Sequence, residues 1–151
     1  MVTHVVFDFD ETLVASRDVV TRLYNEVAER HGYVLLTPEN FEELRHLSIL
    51  ERCKRMGFPP YRLPWMMVQV SRSLRQAMHS IDFKEGIPEL LEVLRARGLK
   101  LMILSTNAEE NIRAFLKRKG AEAWVEEVHG GSSIFGKARR LRALMKRAGL
   151  Q

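Results

Sequence analysis

Apolar positions along this chain follow two rhythms, and the change between them divides it. Residues 3–9, THVVFDF, are β-branched and aromatic with no helical period, which predicts a buried strand. From Ser16 the rhythm becomes helical. In SRDVVTRLYNEVAERHG, Val19, Val20, Leu23, Val27 and Ala28 recur at three- and four-residue spacings, and Gly32 closes the run. Thr37 followed by Pro38 opens a second helix, TPENFEELRHL, and SILERCKRMG continues helical to Gly57. FPPYRLP is a turn-rich break, and WMMVQVSRSLRQAMHS reads as a further helix whose Trp65, Met66, Met67 and Val70 pack inward. Residues 16–82 thus form a wholly helical block.

Beyond it strands return. GIPELLEVLRARG is a helix with Pro88 in its first turn and Gly98 at its end. LKLMILSTN holds an apolar strand over 99–104 that stops at Ser105. AEENIRAFLKRKG is a helix, WVEEV a short strand, HGGSSIFG a loop and KARRLRALMKRAG a final helix. Alternating apolar strands and helices imply a parallel α/β sheet. The expected organisation is an α/β core from 1–15 and 83–151, with the helical block 16–82 inserted after the first strand.

Composition narrows the class. The chain has 151 residues, 46% of them hydrophobic, which suits one core with a small subdomain. No run reaches the roughly eighteen apolar residues of a membrane span, so no membrane partner is expected. There is no basic segment leading into an apolar stretch, and Cys53 is the single cysteine, so a reduced, cytoplasmic protein is expected. The net charge of +5 is concentrated at Lys137, Arg139, Arg140, Arg142, Lys146 and Arg147. No aromatic residues interleave with these cations, so the patch reads as a solvated helix face and nucleic acid is not expected as a partner.

Candidate chemistry lies at the strand ends, where open parallel sheets place their ligands. The first strand delivers Asp8 and Asp10, the second delivers Ser105, Thr106 and Asn107, and the last helix begins at Lys137. Carboxylates, a hydroxyl and a lysine at one sheet edge suit a phosphate and a divalent cation. A carboxylate can attack phosphorus, and a neighbouring one can transfer a proton. Hydroxyl and backbone N–H groups hold phosphate oxygens, and Mg²⁺ takes oxygen ligands. Taken singly, each group has a plainer role: Asp8 and Asp10 as turn or helix caps, Ser105 and Asn107 as caps of the following helix, Lys137 as a surface lysine. An EF-hand reading of the first acids fails, because Leu13 and Val19 stand where Gly and Glu are needed. GSSIFGKA, 131–138, fits a P-loop except that Ala138 replaces the Mg²⁺-binding hydroxyl. The histidines, His4, His31, His46, His79 and His129, have no metal-ligand spacing and read as structural or exposed.

VVFDFDETLV, LMILSTN and SIFGKARRL, in this order, resemble three motifs of the haloacid dehalogenase superfamily, in its phosphatase branch and close to the phosphoglycolate phosphatase group. The resemblance implies a Rossmann-like core with an inserted α-helical cap. It implies Mg²⁺-dependent hydrolysis of a small phosphorylated metabolite through an aspartyl-phosphate. Carried over, Asp8 is the nucleophile and Asp10 the proton donor and acceptor. The Asp8 carboxylate and the Asp10 carbonyl are the metal ligands, and Thr12 supports the motif loop. Ser105, Lys137 and backbone N–H groups near Phe9, Asp10 and Thr106 hold the phosphate, and Lys137 also steadies Asp8. Arg45 and His46 in the insert are candidates for touching substrate, beside the plainer reading of a solvated helix face.

The family's fourth motif, whose acids complete the metal site, has no counterpart before Gln151. This leads to the expectation of a C-terminally truncated core, a weakened metal site and an uncovered edge on the first strand, which a second copy or another chain would cover. Two other readings follow: an impaired fragment or interaction module that keeps the fold, and a P-loop nucleotide binder.

Overall fold

The computed structural model describes residues 2–132 and 136–149. The chain divides into two compact units, one from residues 1–16 and 78–151, the other from Arg17–Ala77. Met78–Ser80, a 3₁₀ turn, and buried Ile81 therefore belong with the strands and not with the helical unit.

The first unit is a parallel three-stranded sheet, β1 (His4–Phe7), β2 (Lys100–Leu104) and β3 (Glu127–His129), in the order β1-β2-β3. The register sets Phe7 beside Ile103, and Leu104 beside His129, so all three strands end at one edge. β2 is central, and Leu101, Met102, Ile103 and Leu104 are buried. β1 pairs with β2 alone among the described residues and is only half-buried. The strand expected over WVEEV is shorter and later than its pattern suggests. Glu122–Trp124 forms a 3₁₀ turn, and the ladder begins only at Glu127.

The remaining helices are α1 (Arg17–His31), α2 (Pro38–Arg45), α3 (Ile49–Arg55), α4 (Leu63–Ala77), α5 (Ile87–Ala96), α6 (Glu109–Arg118) and α7 (Lys137–Arg147). α1 to α4 make up the second unit, closed around Tyr24, Val27, Ala28, Leu44, Cys53, Met56, Phe58 and Met66. The run expected to continue helical through Ser48 is broken there. Ser48 caps α3 by accepting from the Glu51 N–H, while the Glu51 carboxylate takes the Ser48 N–H. That reciprocal cap satisfies amides that a continuous helix would have paired internally. Thr37 and Asn40 form the same device at α2.

In the first unit, Phe9, Phe83 and Phe115 meet edge to face with ring centroids 5.4 and 4.8 Å apart. This cluster lies under the turn that follows β1 and ties it to α6. Arg118, on the last turn of α6, donates to the carbonyls of Met78 and Ile81. α7 packs through Leu141 and Leu144 against Val6, Met102 and Leu104, so the helix that begins with Lys137 lies on a sheet face.

Candidate active site

Three strand ends converge, the first two followed by polar side chains, Asp8 after β1 and Ser105 after β2, and the third by Gly130 after β3. Residues 9–14 form a tight turn beyond β1. The Phe9 carbonyl accepts from the N–H groups of Thr12, Leu13 and Val14, and Phe9, Leu13 and Val14 are fully buried. Val14 bridges to Phe83, and the Leu13 carbonyl accepts from the Lys84 N–H, so a second segment pins the turn. Glu11 has φ 58, the one non-glycine residue in the left-handed region among those described. The Lys84 ammonium donates to the Glu11 carbonyl at 2.7 Å and lies 3.3 Å from its carboxylate.

Asp8 is held from both sides. Its Oδ1 accepts from the Phe9 N–H at 2.8 Å, and its Oδ2 lies 2.7 Å from the Lys137 ammonium. The Phe9 N–H, a candidate phosphate donor, is therefore engaged by Asp8 itself in this structure. The Asp8 and Lys137 side chains remain 42% and 33% exposed, so the pair lies open to an incoming ligand.

Asp10 sits deeper. Burial pushes its carboxyl above the ordinary carboxylate range. The Ser16 hydroxyl and the Asn107 amide oppose that rise, and the charges of Asp8 and Glu11 add to it. Asn107 Nδ2 lies 3.1 and 3.4 Å from the two Asp10 oxygens. Ser16 Oγ is fully buried and completes no hydrogen bond, although it is near enough to favour the ionised form of Asp10.

Ser105 is completely buried and bonded through all its backbone groups and its side chain. Its N–H donates to the His129 carbonyl, its own carbonyl accepts from Ser132, and its Oγ accepts from the Asn107 N–H at 3.0 Å. Thr106 follows at the same edge, half-buried. The loop after β3 is packed so closely that a Cβ on Gly130 would lie 2.3 Å from the Glu109 nitrogen.

Asn107 does not cap α6 as expected. The N-cap position is Ala108, which offers no side-chain bond, and the Asn107 amide turns to Asp10 instead. The strand-end pattern missed Ser16, beside Asp10, and Asn111, which stands behind Asn107 and donates to its Oδ1 at 3.0 Å. A signal for Asn111 existed: it is a polar residue on the buried α6 face otherwise formed by Ile112, Phe115 and Leu116.

The histidines take local partners. His129 lies 2.7 Å from the Glu127 carboxylate, which also takes Arg147, and His31 stacks on Tyr33. No group of three or more His, Cys, Asp or Glu side chains able to hold a metal occurs among the described residues. The donors at the strand ends are oxygens only, the class a hard divalent cation takes, and Asp8 is the carboxylate open to one. The P-loop reading of 131–138 runs through 133–135, which lie outside the described residues, and its lysine is paired with Asp8. No helix among the described residues is long and apolar enough to cross a membrane.

The sequence profile of the haloacid dehalogenase-like hydrolases matches residues 5–151. The chain belongs to that family. It is a phosphatase-type hydrolase of the family, with a mixed α/β fold around a parallel sheet. It is 35% identical over 147 residues to a phosphoglycolate phosphatase of Synechococcus elongatus, covering 97% of this chain and 69% of that protein. Among solved structures, CbbY of Rhodobacter sphaeroides in complex with phosphate superposes with a TM-score of 0.75 at 19% identity, over 99% of this chain and 74% of that one. A haloacid dehalogenase-like family hydrolase of Streptococcus pneumoniae gives 0.73 at 17% identity, over 99% and 71%. At such identities these structures speak for the fold alone.

Proposed function

We propose that this chain hydrolyses a small phosphomonoester by way of an aspartyl-phosphate on Asp8. The observation that carries the reading is the pairing of Asp8 with Lys137 at the edge where β1 and β2 end. An Asp8 oxygen forms a bond to phosphorus as the bond to the leaving oxygen breaks, and Asp10 gives that oxygen a proton. Water then attacks phosphorus, Asp10 takes a proton from it, and the Asp8–phosphorus bond breaks. A carboxyl pushed upward by burial suits both directions of transfer. Ser105 Oγ accepts from the Asn107 N–H and keeps its O–H as a donor, which reaches a phosphate oxygen once the fully buried strand end opens to the ligand. Lys137 offsets the charge gathered on Asp8 and phosphate.

The Asp8 carboxylate and the Asp10 carbonyl would hold Mg²⁺, which would supply charge stabilisation to the transferring phosphoryl group. Phosphoglycolate, the substrate named for the Synechococcus relative, is the first compound to assay. The helical unit 17–77 is assigned here to substrate selection. Hydrolysis of an aryl phosphate and of phosphoglycolate, with and without Mg²⁺, tests the reading. Metal-dependent turnover abolished by Asp8→Asn in a folded protein is expected. Turnover that survives Asp8→Asn overturns it.

A further inference from the structure

The chain buries two asparagine side chains, one just before α6 and one in its first turn, and neither caps the helix. Asn107 and Asn111 are 6% and 2% exposed. Burying a primary amide costs free energy unless its hydrogen bonds are replaced, so such groups are kept where their bonds do something specific. Here they form a directed series. Asn111 Nδ2 donates to Asn107 Oδ1 at 3.0 Å, and Asn107 Nδ2 donates to Asp10 Oδ2 at 3.1 Å. The polarity is set from the Asp10 end when its carboxyl is ionised. A carboxylate accepts from N–H and repels an amide oxygen, so Nδ2 of Asn107 must face Asp10. The Asn107 oxygen then faces Asn111, which meets it with a donor.

The series starts on rigid ground. Asn107 is fixed through its N–H to Ser105 Oγ, and its carbonyl accepts from the Gly131 N–H at 2.7 Å. Asn111 lies on the buried face of α6, beside Ile112 and Phe115. Asp10, by contrast, stands on a turn outside the strands. A proton donor must be within hydrogen-bond reach of the leaving oxygen, so its orientation matters as much as its presence.

We propose that Asn107 and Asn111 form a two-amide relay that holds the Asp10 carboxyl in the orientation for proton delivery to the leaving group. This rests on the reading of Asp10 as that donor. Asn107 and Asn111 are positioning residues, since they act through Asp10.

The test compares kcat/KM for an alkyl phosphate, whose leaving oxygen must be protonated, and for 2,4-dinitrophenyl phosphate, whose leaving group departs unaided. Asn107→Ala is expected to lower the first by roughly ten- to a hundredfold and the second by less than about threefold. Asn111→Leu, which removes the donor to Asn107 Oδ1 without replacing a residue that touches Asp10 and suits the apolar face of α6, should show the same selectivity more weakly. Equal losses on both substrates would mean a general structural role and overturn the relay. Asp10→Asn is the control. If it too fails to discriminate the leaving groups, the reading of Asp10 as donor falls, and the relay loses its catalytic purpose. A second readout is independent of turnover: solvent exchange of the Asn107 side-chain amide protons by NMR. Exchange should be slow in the wild type and at least about tenfold faster in Asn111→Leu. Unchanged exchange would show that Asn111 does not hold Asn107, and would overturn the relay whatever the kinetics.

Discussion

The Lys137 ammonium stands 2.7 Å from Oδ2 of Asp8, joining the start of the last helix to the end of the first strand. Packing of α7 on the sheet face through Leu141 and Leu144 makes the pairing possible. The pair is partly exposed, so it contributes little to stability, about 0–1 kcal/mol. Its value on the proposed pathway is electrostatic. Lys137→Ala is expected to lower kcat/KM for phosphomonoesters by roughly a hundredfold or more, with a denaturation midpoint close to that of the wild type. A large stability loss with a small kinetic one would assign the pair to folding instead.

Gly130 is required by close approach. An added Cβ would lie 2.3 Å from the Glu109 nitrogen and 2.8 Å from the Asn107 carbonyl, all rigid backbone. Gly130→Ala must push the loop after β3 away from the start of α6. The expected cost is about 1–3 kcal/mol in urea unfolding. The Ser132 to Ser105 and Gly131 to Asn107 backbone bonds lie in the same loop and should lose amide-exchange protection with it.

The turn after β1 holds Glu11 at φ 58, and Lys84 donates to its carbonyl. A left-handed non-glycine residue costs about 1 kcal/mol or slightly more. Glu11→Gly removes that strain and keeps the carbonyl, giving up the Lys84 ion pair, so the net change should be under about 1 kcal/mol. Lys84→Ala also removes the bond to the carbonyl and should be the more destabilising of the two, by about 1 kcal/mol in thermal unfolding. The reverse order would show that the carboxylate, not the carbonyl, is what Lys84 secures.

Tyr24 donates to the Val34 carbonyl at 2.9 Å within the helical unit. Burial, with smaller effects of Cys53 and Tyr33, raises its hydroxyl from 10.0 to about 12. A raised folded-state pKa means that the folded chain holds the proton more tightly than the unfolded one. The stability tied to it is intact below about pH 10 and falls as pH rises toward 12. Tyr24→Phe should cost about 1 kcal/mol at neutral pH and lose less stability than the wild type across that alkaline range. Parallel stability curves for the two proteins would contradict this.

The helices were legible because their signals are local. The period of α1, the Thr37–Pro38 start of α2 and the glycines after α5 and α6 each involve residues a few positions apart. The break before α3 was harder to see, since Ser48 and Glu51 read as well inside a helix as at its start. β3 was mislocated for a different reason. WVEEV has strand-like residues, but a short strand is set by the neighbour that pairs with it, and Met102 to Leu104 of β2 meet Glu127 to His129.

The sequence by itself determined the chemistry on offer: acids after the first strand, Ser105 after the second, Lys137 opening the last helix, and hence the family resemblance. These are chain-order facts, and covalent order is what a sequence records. Tertiary structure alone decided which groups meet. It set Lys137 on Asp8, took the Phe9 N–H for Asp8, and turned Asn107 from the cap of α6 to Asp10 with Asn111 behind it. The reason is physical. An asparagine side chain can satisfy its own helix or a distant carboxylate equally well in local terms, and the choice depends on what burial brings within about 3 Å of it.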